Sequence, residues 1–182
     1  MLNKIDNNFY YREYDLCSKY QIENIKQDID FEIASGRVAE PDEKQKKLNI
    51  RIPKYQTYTD LYLLNKHKKH WSFIYNKIKK SAEKFIKASL NLRNCWANIS
   101  TPLNDYDNHT HTTFITCVYY LKSTYPHYGT FLTKEKIIFP ATENSLLIFK
   151  GNIEHSVSNV PKHLYKNIDD TRYSVVFDFD KK

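Results

Sequence analysis

Apolar residues recur along this chain with two different periods, and the period changes near Asn94. Between Lys19 and Ser35, Ile22, Ile25, Ile29 and Ile33 stand three or four residues apart. That spacing puts them on one face of a helix, and the Gly36 that follows is a natural helix stop. Residues Ala39–Gln56, with Pro41 and Pro53, read as a loop or extended connection. A longer helix is predicted from about Tyr58 to Leu90. Its stripe is Trp71, Ile74, Ile78, Ala82, Phe85 and Leu90, with Lys77, Lys79, Lys80, Lys84 and Lys87 largely off it. Such a stripe predicts a helix packed on a sheet.

Past Asn94 the pattern becomes short β-branched and aromatic runs separated by turn residues. The predicted strands are Cys95–Ser100, Phe114–Lys122, Gly129–Phe131, Lys136–Phe139, Ser145–Lys150, Glu154–Asn159 and Tyr173–Asp180. The turns fall at Pro102–Asn108, Pro126–Gly129 and Pro140–Asn144. Many short strands at close intervals predict a sandwich or jelly roll of the cupin kind. Helices first and strands second make the fold class α+β, with the helices covering one sheet face. At 182 residues the chain is expected to be a single domain: 1–93 mainly helical support, 94–182 the strand core.

Composition narrows the function classes. Fifteen Tyr and ten Phe supply large apolar faces with polar tips, and only three Gly leave the turns to Asn, Asp, Pro and Ser. The net charge of +7 would permit an acidic partner. The lysines are dispersed, however, and their densest runs are Lys44–Lys47, Lys66–Lys69 and Lys77–Lys80. The last two read as solvated helix faces. No recognition helix or RNA-binding strand motif accompanies the charge, so nucleic acid is not indicated. Cys17, Cys95 and Cys117 form neither a disulfide framework nor a zinc knuckle. The N-terminal residues lack a signal-peptide core and no segment is apolar enough to span a bilayer. The expectation is a protein of a reducing, cytoplasmic compartment with no membrane partner.

The sharpest chemical signal is His109-Thr110-His111, just before the run FITCVYYLK. At the start of a strand, residues i and i+2 point the same way, so both imidazoles can face one ion. A third, His155, opens a distant strand in KGNIEHSV. Two close ligands and one remote ligand make a facial triad, which leaves positions open for a bidentate co-substrate and oxygen. His67, His70, His127 and His163 sit in Lys-rich or loop contexts and read as surface residues. Downstream, Arg172 and Ser174 share one strand face, where a guanidinium fork and a hydroxyl suit a carboxylate. The competing reading of Arg172 is a surface salt bridge with Asp169 or Asp170.

In that order, Trp96-x-Asn98, NDYDNHTH, CVYYL, LLIFKGNIEHSV and RYSVVFDF resemble the 2OG-Fe(II) oxygenases related to prolyl 4-hydroxylases. The resemblance covers about Asn94 to Phe179 and implies a double-stranded β-helix that uses Fe(II), 2-oxoglutarate and O2. It implies that His109 and His155 are metal ligands. His111 stands where most of the superfamily has a carboxylate, and Asp105 and Asp107 remain alternatives for the third ligand. Tyr120, Arg172 and Ser174 match the anchor for the far carboxylate of 2-oxoglutarate, and Asn98 faces the same region in related enzymes. The implied reaction couples decarboxylation of 2-oxoglutarate, giving succinate and carbon dioxide, to hydroxylation of a C–H bond.

The chain departs from the family pattern at Thr112, Thr116-Cys117, Asn144-Ser145, Lys150-Gly151 and Phe177-Asp178, the last standing for Phe-Asn. These departures mark a divergent member. Its substrate is expected to be a peptide or small molecule, with peptidyl proline the family-level expectation. The alternative is a non-catalytic jelly-roll binding or structural module that has kept the fold.

Overall fold

The apolar runs of the second half lack a simple in-out alternation because their strands are buried on both faces. The computed structural model describes residues 10–40, 55–103, 106–125, 129–157, 160–164, 167 and 170–182. Strands β1 (Tyr10–Tyr14), β2 (Tyr55–Gln56), β3 (Leu90–Ser100), β5 (Ile115–Ser123), β8 (Ser145–Lys150) and β10 (Arg172–Lys181) form one antiparallel sheet. Its order is β1-β8-β5-β10-β3-β2. A smaller sheet, in order β4-β9-β6-β7, joins β4 (Tyr106–His109), β9 (His155–Val157), β6 (Thr130–Leu132) and β7 (Ile137–Phe139).

Two cores follow from the two faces of the large sheet. On β10, Tyr173, Val175, Phe177 and Phe179 join the core that includes the helices. Helix α1 (Lys19–Ala34) contributes Ile22, Ile25 and Ile29, and α3 (Lys69–Ile86) contributes Trp71, Ile74, Ile78 and Ala82. The alternate residues of the central strands face the smaller sheet, where Val118, Tyr120, Leu147, Phe149 and Val176 meet Leu132 and Phe139. The functional cavity opens on this second side, so the helices support the site from behind.

Local signals explain the element ends. Ser18 and Gln21 form a capping box at the start of α1. At its end Gly36 adopts φ +76°, its N–H donates to Ile33 O, and Arg37 N–H donates to Glu32 O. This double closure needs a left-handed residue, which Gly supplies without strain.

The structure differs from the sequence expectation in several places. The predicted helix 58–90 is divided into α2 (Leu61–Asn65) and α3 by a turn at 66–68, where Lys68 is extended. Leu90 is not on the helical stripe but begins β3, after Lys87 closes the helix in a left-handed conformation. Strands β1 and β4 were not expected. His70 is not a bare surface residue: its Nε2 lies 2.7 Å from Asp28, which also accepts from Lys68 and Trp71. The expectations for Lys44–Lys47, Pro41, Pro53, Asp105, His127 and Asp169 lie outside the described residues. No helix among the described residues is long and apolar enough to cross a membrane.

Candidate metal centre

Antiparallel pairing alone brings two of the three imidazoles together. His109 ends β4 and His155 begins β9, and the two are register partners across the ladder. Side chains directly opposite on one face are neighbours, and these ring centroids are 4.2 Å apart. The H-x-H pair therefore straddles the end of β4, rather than lying wholly in a loop just before the next strand as the sequence predicted.

His111 arrives from the loop that follows. Its N–H donates to Gly151 O at 2.8 Å, and Gly151 N–H donates to Phe114 O at 3.2 Å. A Cβ at Gly151 would stand 2.1 Å from Thr113 O, so only glycine lets the end of β8 lie this close to the loop. The His111 ring comes to rest 5.4 Å from that of His109 and 5.1 Å from that of His155. One ring nitrogen from each of the three lies within 4.8 Å of the others.

The hydrogen bonds decide which nitrogen that is. His109 Nδ1 lies 2.7 Å from Asp107 O, and His155 Nδ1 lies 2.9 Å from Ile153 O. A carbonyl only accepts, so both Nδ1 atoms carry the proton. His111 Nδ1 lies 2.9 Å from the carboxylate of Asp178, which sets the same tautomer. All three Nε2 lone pairs are left for an ion, with each ring oriented through its other nitrogen as metal-binding histidines usually are. Burial pushes His109 down to about 4 and His155 to about 3, the former partly offset by the Asp107 carbonyl and the latter reinforced by His109. Both are neutral at pH 7, the form that binds metal. The donor set fits a divalent first-row ion with a free face.

The alternative ligands fare differently. Asp107 is exposed and meets the site through its backbone carbonyl. Asp105 lies outside the described residues. Among the described residues the metal-sized cluster is His109, His111 and His155.

The remaining predicted residues line the same cavity of about 110 Å³ as the three histidines: Asn98, Tyr120, Arg172 and Ser174. Arg172 and Ser174 lie on the inner face of β10, and Arg172 is 4% exposed rather than at the surface. Its Nη2 donates to Ser100 Oγ at 3.5 Å, while Asp170 accepts from the Asn167 N–H. Burial raises the Tyr120 phenol above its ordinary value, although Thr130 and Arg172 pull the other way, so it remains a donor at neutral pH. The Asn98 Oδ1 atom is buried with no hydrogen-bond partner among the described residues. A buried polar atom without a partner normally has one in the working state.

Four contributors escaped the sequence reading. Thr130 bonds Tyr120, Ser100 bonds Arg172, and Thr116 and Asp178 hold His111. Of these, Thr116 and Asp178 sit at places where the chain departs from the family pattern, which was a usable signal. Thr130 and Ser100 carried none.

Two facing antiparallel sheets with the histidine cluster between them make the fold a double-stranded β-helix. No protein-family model matches the sequence, and no curated protein matches it by sequence. Solved structures match it by fold. A viral collagen prolyl hydroxylase from Paramecium Bursaria Chlorella virus-1, determined as a 2OG complex, superposes with a TM-score of 0.69 at 11% identity, covering 97% of this chain and 98% of that one. A prolyl-4-hydroxylase from Pseudomonas putida gives 0.64 at 10% identity, covering 100% and 97%. SnoN, a non-heme alpha-ketoglutarate-dependent epimerase of nogalamycin biosynthesis, gives 0.70 at 9% identity, covering 94% and 77%.

Proposed function

We infer that this protein is an Fe(II)- and 2-oxoglutarate-dependent oxygenase, with residues 1–182 forming one catalytic domain. The observation that carries this reading is the convergence of one ring nitrogen from each of the three histidines on one cavity whose lining also includes a buried guanidinium. An Fe(II) held by His109, His111 and His155 would supply the oxygen chemistry that couples 2-oxoglutarate decarboxylation to oxidation of a C–H bond.

The chain's own residues bind and orient the co-substrate. Arg172 offers a charged donor fork to the far carboxylate of 2-oxoglutarate, with Ser174 beside it on the same strand face. Tyr120 and Thr130 share two hydroxyl hydrogens, and only one is needed for the bond between them. The second can donate to the same carboxylate. Each charge-assisted bond in such a slot is worth about 1.5–3 kcal/mol. Asn98 adds a polar group on the neighbouring strand. Val118 and Val176 give the cavity an apolar wall.

The primary substrate is a peptide or a small molecule with an unactivated C–H bond, and peptidyl proline is the first to test. Three buried free thiols support a reducing compartment, the cytoplasm. The test is spectroscopic and catalytic. Fe(II) and 2-oxoglutarate mixed anaerobically are expected to give a weak visible charge-transfer band, and oxygen is then expected to yield succinate. An iron-loaded protein that never binds 2-oxoglutarate overturns the reading in favour of a non-catalytic module.

A further inference from the structure

The Asp178 carboxylate is 3% exposed. Its Oδ1 lies 2.9 Å from His111 Nδ1 and accepts from Thr116 Oγ1 at 2.8 Å. Thr116 Oγ1 is itself 3.0 Å from His111 Nδ1, so the three groups close a triangle. Among the described residues no Lys or Arg pairs with Asp178, and the one basic ring it meets is that of His111. A carboxylate taken out of water this completely needs a compensating positive charge. Ordinary packing explains the threonine but leaves that charge unaccounted for.

We propose that Asp178 is a positioning residue that supplies, through the His111 imidazole, the negative charge that a directly bound carboxylate would otherwise give the metal. This rests on reading the histidine cluster as a metal site. Three neutral imidazoles leave the full double charge of a divalent ion uncompensated, whereas two imidazoles and a carboxylate leave one. Asp178 restores the second total from one bond further away. It also fixes the His111 tautomer and strengthens the ring as a donor. His111 and Asp178 lie on different elements, the loop after β4 and the inner face of β10. The pair thus ties a loop residue to one of the two central strands of the large sheet.

The test is a double-mutant cycle read by anaerobic titration with Co(II), whose visible absorption reports ligand number and strength without turnover. Asp178→Asn keeps shape and loses charge, and is expected to weaken Co(II) binding roughly 10- to 100-fold. In a His111→Asp background, where the carboxylate contacts the ion directly, Asp178→Asn is expected to cost no affinity. Thr116→Val keeps the charge but frees one side of it, and should weaken binding less than Asp178→Asn does. If Asp178→Asn fails to fold, as judged by the metal-free Tm, Thr116→Val is compared in the wild-type and His111→Asp backgrounds: weaker Co(II) binding in the first alone supports the proposal, and equal effects overturn it. Wild-type affinity in Asp178→Asn overturns the proposal, as does an equal loss in both backgrounds. Wild-type protein that binds Co(II) but gives no charge-transfer band with Fe(II) and 2-oxoglutarate overturns the oxygenase reading alone, and the cycle still decides the role of Asp178.

Discussion

The Tyr120 hydroxyl lies 2.7 Å from the Thr130 hydroxyl, and the Thr130 N–H donates to the same phenol oxygen at 3.0 Å. The phenol is therefore held at a fixed point of the cavity by β6, and one hydroxyl hydrogen of the pair is spare. Tyr120→Phe and Thr130→Val each remove one of two hydroxyls that can serve the co-substrate. Either variant keeps one hydroxyl hydrogen but loses the bond that positions it, so each is expected to raise the KM for 2-oxoglutarate a few-fold, and the double variant about 10-fold, with little change in Fe(II) affinity. An unchanged KM in both variants would place the co-substrate elsewhere.

Arg172 tests fork against point charge. Arg172→Lys keeps the charge and loses the planar pair of donors. The expected result is a KM for 2-oxoglutarate raised about 10-fold or more, with a larger rise in Arg172→Met. Isothermal titration of 2-oxoglutarate into anaerobic Fe(II)-loaded protein measures the accompanying loss of affinity. Equal affinity in all three proteins would remove Arg172 from the site.

A ligand role for His155 is separable from a role in folding. His155→Ala is expected to weaken Fe(II) binding by about 100-fold or more, because it removes one of three ligands. The β9 ladder to β4 and β6 is made by backbone and should persist. Fe(II) titration together with the far-ultraviolet spectrum separates the two effects. Intact metal binding would exclude His155 as a ligand.

The two depressed histidines set a pH dependence. His109 and His155 sit at about 4 and about 3 in the fold, against about 6.5 in the unfolded chain. Between those limits the unfolded chain binds protons that the native state refuses. Native stability is therefore complete above about pH 6.5 and declines as the pH falls toward 4 and then 3. The metal-free Tm is expected to drop over that range, and to drop less steeply in a His109→Ala/His155→Ala variant. Parallel profiles would contradict the assignment.

Gly151 offers a test remote from the chemistry. Gly151→Ala places a methyl group against the Thr113 backbone. The loop must move, and His111, bonded to Gly151 O, moves with it. The expected result is a Tm lowered by several degrees and weaker Co(II) binding with all three histidines present. A variant with native Tm and native affinity would show that the loop is not braced here.

What the sequence revealed follows from how each element is buried. Strand β8 was bounded correctly at Ser145–Lys150 because its apolar run begins after a turn and ends at an exposed Lys. Strand β1 was not seen, because its inward Arg12 is satisfied by Pro140 O and Thr142 Oγ1, partners that lie far along the chain. Strand β4 reads YDNH, a short polar edge with no β signature. The histidine spacing was legible, and so were Arg172 and Ser174, since both share a period-two face. The Asp178–His111 contact was not, because it depends on β10 passing behind a loop many residues earlier in the chain. Local pattern reports which way a side chain points, but not what meets it there.

Strand β4 lies at the rim of the smaller sheet and, among the described residues, pairs with β9 alone. An ion shared by His109 and His155 would staple that rim to its neighbour, adding a cross-link where a four-residue strand meets a three-residue one across an irregular register. Iron supply would then govern more than turnover. Starved protein would fray along Tyr106–His109 and exchange its amide hydrogens there, whereas replete protein would keep them.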